Sequence, residues 1–283
     1  MVIAIVGGGA SGLMAAIAAS KSPDCQVHIL ERQSRVGRKL LATGNGRCNL
    51  TNTGLSIHAY HGEQPDFADP SLQNFGLKKT LSFFQHLGLL TVADDTGRVY
   101  PWSDQAGSVV DVLRFALEKP NVHLHTGAEV TQIRRQPDGR FLLSFGKETL
   151  TADRVIAACG GLAGTSLGGS MAGYQLLKPL GHRCTKLRPA LVQLKSSYPR
   201  CASLKGIRAV CHLRLTKDQE TVAETQGEVQ FTAYGLSGPA IFEISRDACA
   251  EPGDWVCHLD LLPDITPPAL VDLLTRRTQQ CPG

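Results

Sequence analysis

The apolar positions set the outline of the chain. Val2–Val6 is an unbroken, largely β-branched run closed by glycines, the pattern of a strand buried in a parallel sheet. Ala10–Lys21 is alanine-rich with Leu13, Met14 and Ile17 at helical spacing, and Gln26–Leu30 returns to a strand that ends at Glu31. Strand, helix, strand within so short a span is a βαβ unit, which needs a parallel sheet and a crossover helix. Arg32–Thr53 breaks this rhythm with a long polar loop rich in Gly and Asn.

Helical periodicity comes back over Phe75–Leu87, stopping at Gly88, and over Ser108–Glu118, stopping before Pro120. Val122–Gln136, Arg140–Phe145 and Glu148–Ala152 alternate apolar and polar residues around Pro137-Asp138-Gly139, which predicts an antiparallel meander. Arg154–Ala158 predicts another buried strand, running into Cys159-Gly160-Gly161. After Arg188-Pro189 short strands dominate: Leu191–Leu194, Ile207–Leu215, Glu228–Thr232 and Trp255–Leu259. A helix is expected over Pro267–Gln279, and the final residues Gln279–Gly283 resemble neither an edge strand nor a docked helix.

The fold class expected is α/β. A Rossmann-like nucleotide-binding domain, parallel sheet plus antiparallel meander, spans residues 1–188. A mostly β domain, inserted or appended, spans residues 189–283.

Composition narrows the class. The 283 residues are 42% hydrophobic and 19% charged, which is globular and excludes a disordered chain. No apolar run is long enough to span a bilayer, and Met1–Val6 lacks a basic region before its apolar run, so neither a membrane segment nor a signal peptide is expected. Nine cysteines at wide spacing without a C-x-x-C predict reduced thiols and a cytoplasmic setting. No pair of histidines has ligand spacing along a helix, and His123 and His125 alternate along a strand, so no metal site is expected.

Charge is unevenly placed. Net charge is +4, but Arg154–Lys217 contains no Asp or Glu, leaving all 25 acidic residues elsewhere. Such a stretch suits a solvated basic face, an anionic small substrate or nicotinamide donor, or a nucleic acid. Aromatics for base stacking are scarce there, with only Tyr174 and Tyr198, so nucleic acid is the least favoured of the three.

The 29 glycines are clustered, and the first cluster carries chemistry. Gly7-Gly8-Gly9-Ala10-Ser11-Gly12 fits G-x-G-x-x-G between a predicted strand and a predicted helix, with Glu31 closing the next strand. In that setting Gly7 permits the tight turn, Gly9 admits a pyrophosphate to the backbone, and Gly12 lets the helix pack on the strand. The helix N-terminus at Ala10 and Ser11 offers free N–H groups. A carboxylate at Glu31 suits a ribose with a free 2′-hydroxyl and opposes a 2′-phosphate, leaving NAD and FAD as candidates.

The second cluster runs Arg35-Val36-Gly37-Arg38-Lys39-Leu40-Leu41-Ala42-Thr43-Gly44-Asn45-Gly46-Arg47-Cys48-Asn49-Leu50-Thr51-Asn52. Its cations, amides and Asn side chains suit an extended cofactor carrying phosphates and hydroxyls. The third cluster, Gly160–Gly173, lacks the G-x-G-x-x-G spacing and a following acid, and reads as a loop closing over the first cofactor.

The run from Val36 to Asn52 closely resembles the hallmark of the BaiN/YhiN-type bacterial flavoproteins, also called the aminoacetone oxidase family, within the glutathione-reductase-like group. Gly97–Pro101, Val155–Gly161, Gly181-His182, Arg188–Val192 and Phe231–Ala240 resemble the same family. The resemblance implies FAD bound along Gly7, Gly9, Ala10, Ser11 and Gly12, then Glu31 and Arg32, Arg38 and Lys39, and the Thr43, Gly44, Asn45 loop. Val130 would meet the adenine through its backbone, and Gly160 and Gly161 would complete the site.

It further implies NAD(P)H as a transient electron donor and reduction of a C=C conjugated to a carbonyl in an apolar, steroid- or bile-acid-like small molecule. An amine oxidase producing hydrogen peroxide, or an RNA-interacting or non-catalytic flavoprotein, are the alternatives. Arg47, Cys48 and Asn49 are the candidates nearest the flavin, and Tyr234 is a candidate proton donor. Cys48 has no cysteine partner between residues 49 and 158, against a redox dithiol, and a buried inert thiol is the plainer reading. Family chains also carry a later Gly-rich segment that completes the FAD domain. Nothing after Gly238 matches it, so a chain truncated relative to the family is expected.

Overall fold

A computed structural model describes residues 1–280. The chain divides into two compact units, Met1–Cys184 and Thr185–Gly283.

The first unit opens with β1 (Val2–Val6), α1 (Ala10–Ala19), β2 (Gln26–Glu31), the short α2 (Arg38–Ala42) and β3 (Thr51–Asn52). There follow α3 (Asp69–Asn74), α4 (Leu77–His86), β4 (Thr91–Ala93), β5 (Arg98–Pro101) and α5 (Ala106–Phe115). It closes with β6 (Val122–Thr126), β7 (Val130–Arg135), β8 (Phe141–Phe145), β9 (Glu148–Ala152), β10 (Arg154–Ala157) and α6 (Ala172–Leu177).

The central sheet has strand order β10-β1-β2-β6, and its pairings are parallel. Alternation along β1 divides its side chains between two cores. Ile3 and Ile5 face a layer with Ala16 of α1 and Val27 and Ile29 of β2. Ala4 and Val6 face the other way, against Leu30, Val130, Ile133, Leu143, Phe145 and Ala152. Each fully buried aliphatic side chain in these layers is worth about 1.5–3 kcal/mol relative to exposure. The sheet carrying the glycine motif is therefore anchored on both faces.

Two expectations need correcting. The segment Val122–Gln136 is not one meander strand. Val122–Thr126 joins the central sheet parallel to β2, and only Val130–Arg135 enters the three-stranded meander β7-β8-β9. The break is Gly127, at φ +68°, whose N–H donates to the Gln33 carbonyl while that of Ala128 donates to Glu31. An exposed edge strand alternates just as a meander strand does, so the pattern could not separate them. Arg154–Ala157 is likewise an edge strand, with Ile156 36% exposed, rather than a buried one.

The loop expected over Arg32–Thr53 contains a helical turn, a 3-10 turn at Thr43–Gly46 and the two-residue β3. That strand pairs with β5, which also pairs with β4, giving a small antiparallel sheet.

The second unit contains β11 (Leu194–Lys195), β12 (Arg208–Lys217), β13 (Glu220–Thr232), β14 (Gly235–Ser237), α7 (Pro239–Ala248), β15 (Trp255–Asp260) and α8 (Pro267–Gln280). Its sheet runs β11-β14-β13-β12-β15 with antiparallel pairings. The helix α7 falls in a stretch for which the sequence pattern predicts short strands and few helices. Pro239 opens it, a position where a missing N–H costs nothing, and Ala240, Ile241, Ile244 and Ser245 are buried at helical spacing. Ser245 Oγ donates to the Phe242 carbonyl and accepts from Val192 N–H, so this buried hydroxyl is satisfied. The expectation for the last residues reaches Gly283, and 281–283, with Cys281, lie outside the described residues.

Candidate functional site

The end of β1 turns into α1 through Gly7, at φ +109°, where a side chain would strike the backbone of Ala158 and Cys159. A Cβ on Gly12 would lie 1.9 Å from the Gly7 carbonyl oxygen, so helix and turn touch backbone to backbone. Gly9 is different. A Cβ there would meet no protein atom within 4 Å, because Gly9 faces an open cleft. Gly9 caps α1 without a side-chain acceptor, leaving the first-turn N–H groups of Ala10 and Ser11 without intrahelical partners.

That cleft has a volume of about 350 Å³ and is lined by Gly7–Ser11, Glu31–Gln33, Arg35, Gly37–Leu40 and Thr43, with Ala158–Gly160 and Leu167-Gly168 opposite. Four cations, Arg32, Arg35, Arg38 and Lys39, face one carboxylate, Glu31. The balance and the free N–H groups favour an anion.

Glu31 is buried, with 8% of its surface exposed, and both carboxylate oxygens are engaged. Oε2 accepts from Gly8 N–H at 2.6 Å and Oε1 from Gln33 N–H at 2.8 Å. Each oxygen keeps a second lone pair for a ligand hydroxyl. Gly8 cannot carry a side chain, since its Cβ would sit 2.6 Å from Val36 Cγ1.

The cations tie the cleft together. Lys39 Nζ donates to the Ala163 carbonyl at 2.8 Å. Arg32 donates to the Gly168 carbonyl and, at 3.3 Å, to Ser170 Oγ. Arg38 Nη1 donates to Gln33 Oε1 at 2.9 Å. The third glycine cluster is thereby laced across to β2 and α2. Leu167 and Gly168 lie within the Gly160–Gly173 loop expected to close over the cofactor, whereas Gln33 is a lining residue that no motif signals.

The other expected residues are distributed as follows. Gly160 lines the cleft, whereas Gly161 packs on Tyr174, whose hydroxyl lies 2.4 Å from where a Cβ would be. Val130 is buried and lines a narrower hollow of about 60 Å³ beside the cleft, sharing Gly7, Glu31, Arg32 and Cys159 with it. Gly44, Asn45, Arg47, Cys48 and Asn49 do not line the cleft.

Asn45 and Cys48 hold left-handed backbone at φ +56° and +63°. Arg47 stacks on Tyr100, 4.1 Å from the ring centre, and reaches the Tyr100 hydroxyl at 3.3 Å and Asp104 at 3.8 Å. Cys48 is 2% exposed in a core with Leu13, Ile17 and Val36, and burial raises its thiol pKa. Asn49 is exposed. Tyr234 lies in the turn between β13 and β14 of the second unit, where its hydroxyl donates to Oε1 of Gln193, just before β11.

The family described as HI0933-like protein Rossmann domain matches residues 1–238. The chain belongs to the HI0933-like family. Within reach of this HI0933-like chain is a curated relative from Clostridium scindens, 3-dehydro-bile acid delta(4,6)-reductase. The two are 42% identical over 99% of this chain and 69% of that protein. The ribosomal RNA dihydrouridine synthase of Escherichia coli is 29% identical over 92% of this chain and 64% of its own. The HI0933-like chain thus spans about two thirds of the length of these relatives. Among solved structures, a flavocytochrome c3 fumarate reductase aligns at TM-score 0.48 and 14% identity, covering 74% of this chain and 46% of that one. No helix among the described residues is long and apolar enough to cross a membrane.

Proposed function

We propose that this chain is the cofactor-holding part of an FAD-dependent oxidoreductase that reduces a C=C conjugated to a carbonyl, taking electrons from NAD(P)H. The observation that carries the reading is the 42% identity, over nearly the whole chain, to 3-dehydro-bile acid delta(4,6)-reductase. The cleft supports it, because its donors fit a dinucleotide. Gly9 leaves room for a pyrophosphate against bare backbone, and the α1 N-terminus faces it. Arg38 and Lys39 supply compensating charge, and Glu31 offers two lone pairs to ribose hydroxyls. Bound there, FAD would supply hydride transfer to the conjugated alkene.

The chain's own contribution is positional. It would hold the pyrophosphate of the cofactor with fixed donors and, through the Lys39 and Arg32 contacts to the Ala163–Ser170 loop, close one wall. The proposed substrate is a small apolar enone of steroid type. The reading places the chain in the cytoplasm, where thiols such as Cys25, Cys48 and Cys159 stay reduced.

A second reading keeps the chemistry and changes the substrate. Dihydrouridine is uridine saturated at a C=C conjugated to a carbonyl. The 29% identity to the ribosomal RNA enzyme, with the acid-free stretch Arg154–Lys217, supports an RNA uridine as acceptor. One experiment separates the readings. The FAD-loaded protein is reduced by NADH or NADPH without oxygen, then mixed with a steroid 4-en-3-one, a uridine-containing ribosomal RNA fragment, or air-saturated buffer. Fastest reoxidation by the enone supports the proposal, and fastest reoxidation by the RNA supports the second reading. Reoxidation by oxygen alone, with peroxide released, overturns both.

A further inference from the structure

At the end of α1 remote from the glycine motif lies a second concavity, about 810 Å³ and open to solvent. Its floor is apolar: Ile17 of α1, Phe75 and Phe83 in edge-to-face contact at 6.0 Å, and Leu87. Its rim is cationic. Lys21 follows α1, Lys78 and Lys79 stand in the first turn of α4, and Lys119 follows α5. No carboxylate lines the groove, and none of the four ammonium groups has an ion-pair partner among the described residues.

Two of these lysines are held in place by neutral acceptors. Lys79 Nζ donates to the Asn74 carbonyl at 2.7 Å and Lys119 Nζ to Ser20 Oγ at 3.0 Å. Each ammonium keeps two further donors. An apolar floor under four uncompensated positive charges complements one chemistry, a molecule with an apolar body and an anionic head. The volume falls in the roughly 300–1,000 Å³ range of small-molecule sites.

We propose that this groove binds a monomeric anionic amphiphile, a carboxylate or sulfonate on a fatty or alicyclic skeleton, at a site separate from the cofactor cleft. α1 separates the two sites by about 15 Å along its axis, since Gly9 caps one end and Lys21 follows the other. The groove therefore holds a ligand without presenting it to the cleft, and it does not depend on the cofactor assignment.

The test uses dodecanoate below its micelle concentration, with a photoreactive dodecanoate for mapping, on the purified chain. Saturable one-to-one binding is expected, with the label on peptides covering Phe75–Leu87. Lys78→Glu with Lys79→Glu, and separately Lys21→Glu with Lys119→Glu, are each expected to weaken binding about fivefold or more, from the loss and reversal of exposed charge pairs. Dodecanol, lacking the head charge, is expected to bind more weakly by a similar factor. Both double variants alter exposed side chains, and unchanged circular dichroism verifies their fold. Equal binding of dodecanol, unchanged affinity in both folded variants, or label confined to the cleft segment Glu31–Thr43 would each overturn the proposal. So would binding to anionic phospholipid vesicles without binding of monomeric dodecanoate, or a dimer abolished by the same substitutions.

Discussion

Glu31→Gln is the sharpest probe of the cofactor cleft. The native carboxylate receives a backbone N–H on each oxygen, from Gly8 at 2.6 Å and from Gln33 at 2.8 Å, in a buried setting. An amide has one acceptor oxygen and one NH₂ group, so either orientation sets a donor against a donor. One N–H is orphaned and the other loses its charge-assisted bond. A buried unsatisfied donor costs about 1–3 kcal/mol, and the lost charge assistance adds about 1 kcal/mol, for a total of about 2–4 kcal/mol. For a unit of this size that is a fall in Tm of about 4–16 °C.

On the proposed binding mode, the same substitution removes a carboxylate acceptor for ribose hydroxyls. The Kd for ADP is expected to rise roughly tenfold, while discrimination against 2′-phospho-ADP narrows because the repelling charge is gone. Scanning calorimetry and equilibrium dialysis with the two nucleotides read these effects separately. A Tm within one degree of the parent, with unchanged ADP affinity and unchanged discrimination, would refute the account of Glu31.

Gly9→Ala and Gly12→Ala should split stability from binding: the former leaves Tm nearly unchanged but weakens ADP binding roughly tenfold, while the latter unfolds the turn, because its Cβ would lie 1.9 Å from a backbone oxygen. Thermal melts beside nucleotide titrations check this, and equal Tm losses would contradict it. His28, packed on His123 at 4.7 Å and on His125 at 5.3 Å, has its pKa lowered by burial first and then by those two rings. The native state thus binds fewer protons than the unfolded chain. Stability present above about pH 6.5 should decline on acidification, and His28→Gln should flatten that slope in melts from pH 7.5 to 5. Burial lifts the Cys257 thiol to about 11, with Cys211 adding to the effect, and also lifts Cys48. Iodoacetamide at pH 7.5 should label both slowly in the native chain and fast after denaturation, as read by peptide mass spectrometry.

What could be read along the chain was local. The β1-α1-β2 unit announces itself because one glycine cluster, one helical stripe and one terminal acid lie within a single supersecondary element. Segments whose meaning depends on distant partners were opaque. β6 looks like its meander neighbours until it pairs with β2, and β3 is two residues long and exists only against β5. Helix α7 hides behind Gly238-Pro239 and was masked by the surrounding strand pattern. In the cleft, Gly7, Gly9 and Glu31 were visible from spacing, whereas the roles of Gly168 and Ala163 depend on long-range bonds to Arg32 and Lys39. Cys48 drew attention by its chemical type, but its neighbours Leu13, Ile17 and Val36 decide its character.

On the proposed binding mode, the lacing of the Ala163–Ser170 loop to the cations of the cleft would make that loop a reporter and a regulator of occupancy. An ammonium has three donors and a guanidinium five, so Lys39 and Arg32 can hold a loop carbonyl and a phosphate oxygen together. Two ligands sharing one pair of cations are thermodynamically linked, and the linkage runs both ways. Whatever orders the loop tightens its hold on an anion by a given factor, and an anion in the cleft orders the loop by that same factor. Amide exchange along Ala163–Ser170 would therefore track anion affinity, and a cut in the loop would loosen the anion through Lys39 and Arg32 as well as at the wall formed by Leu167-Gly168.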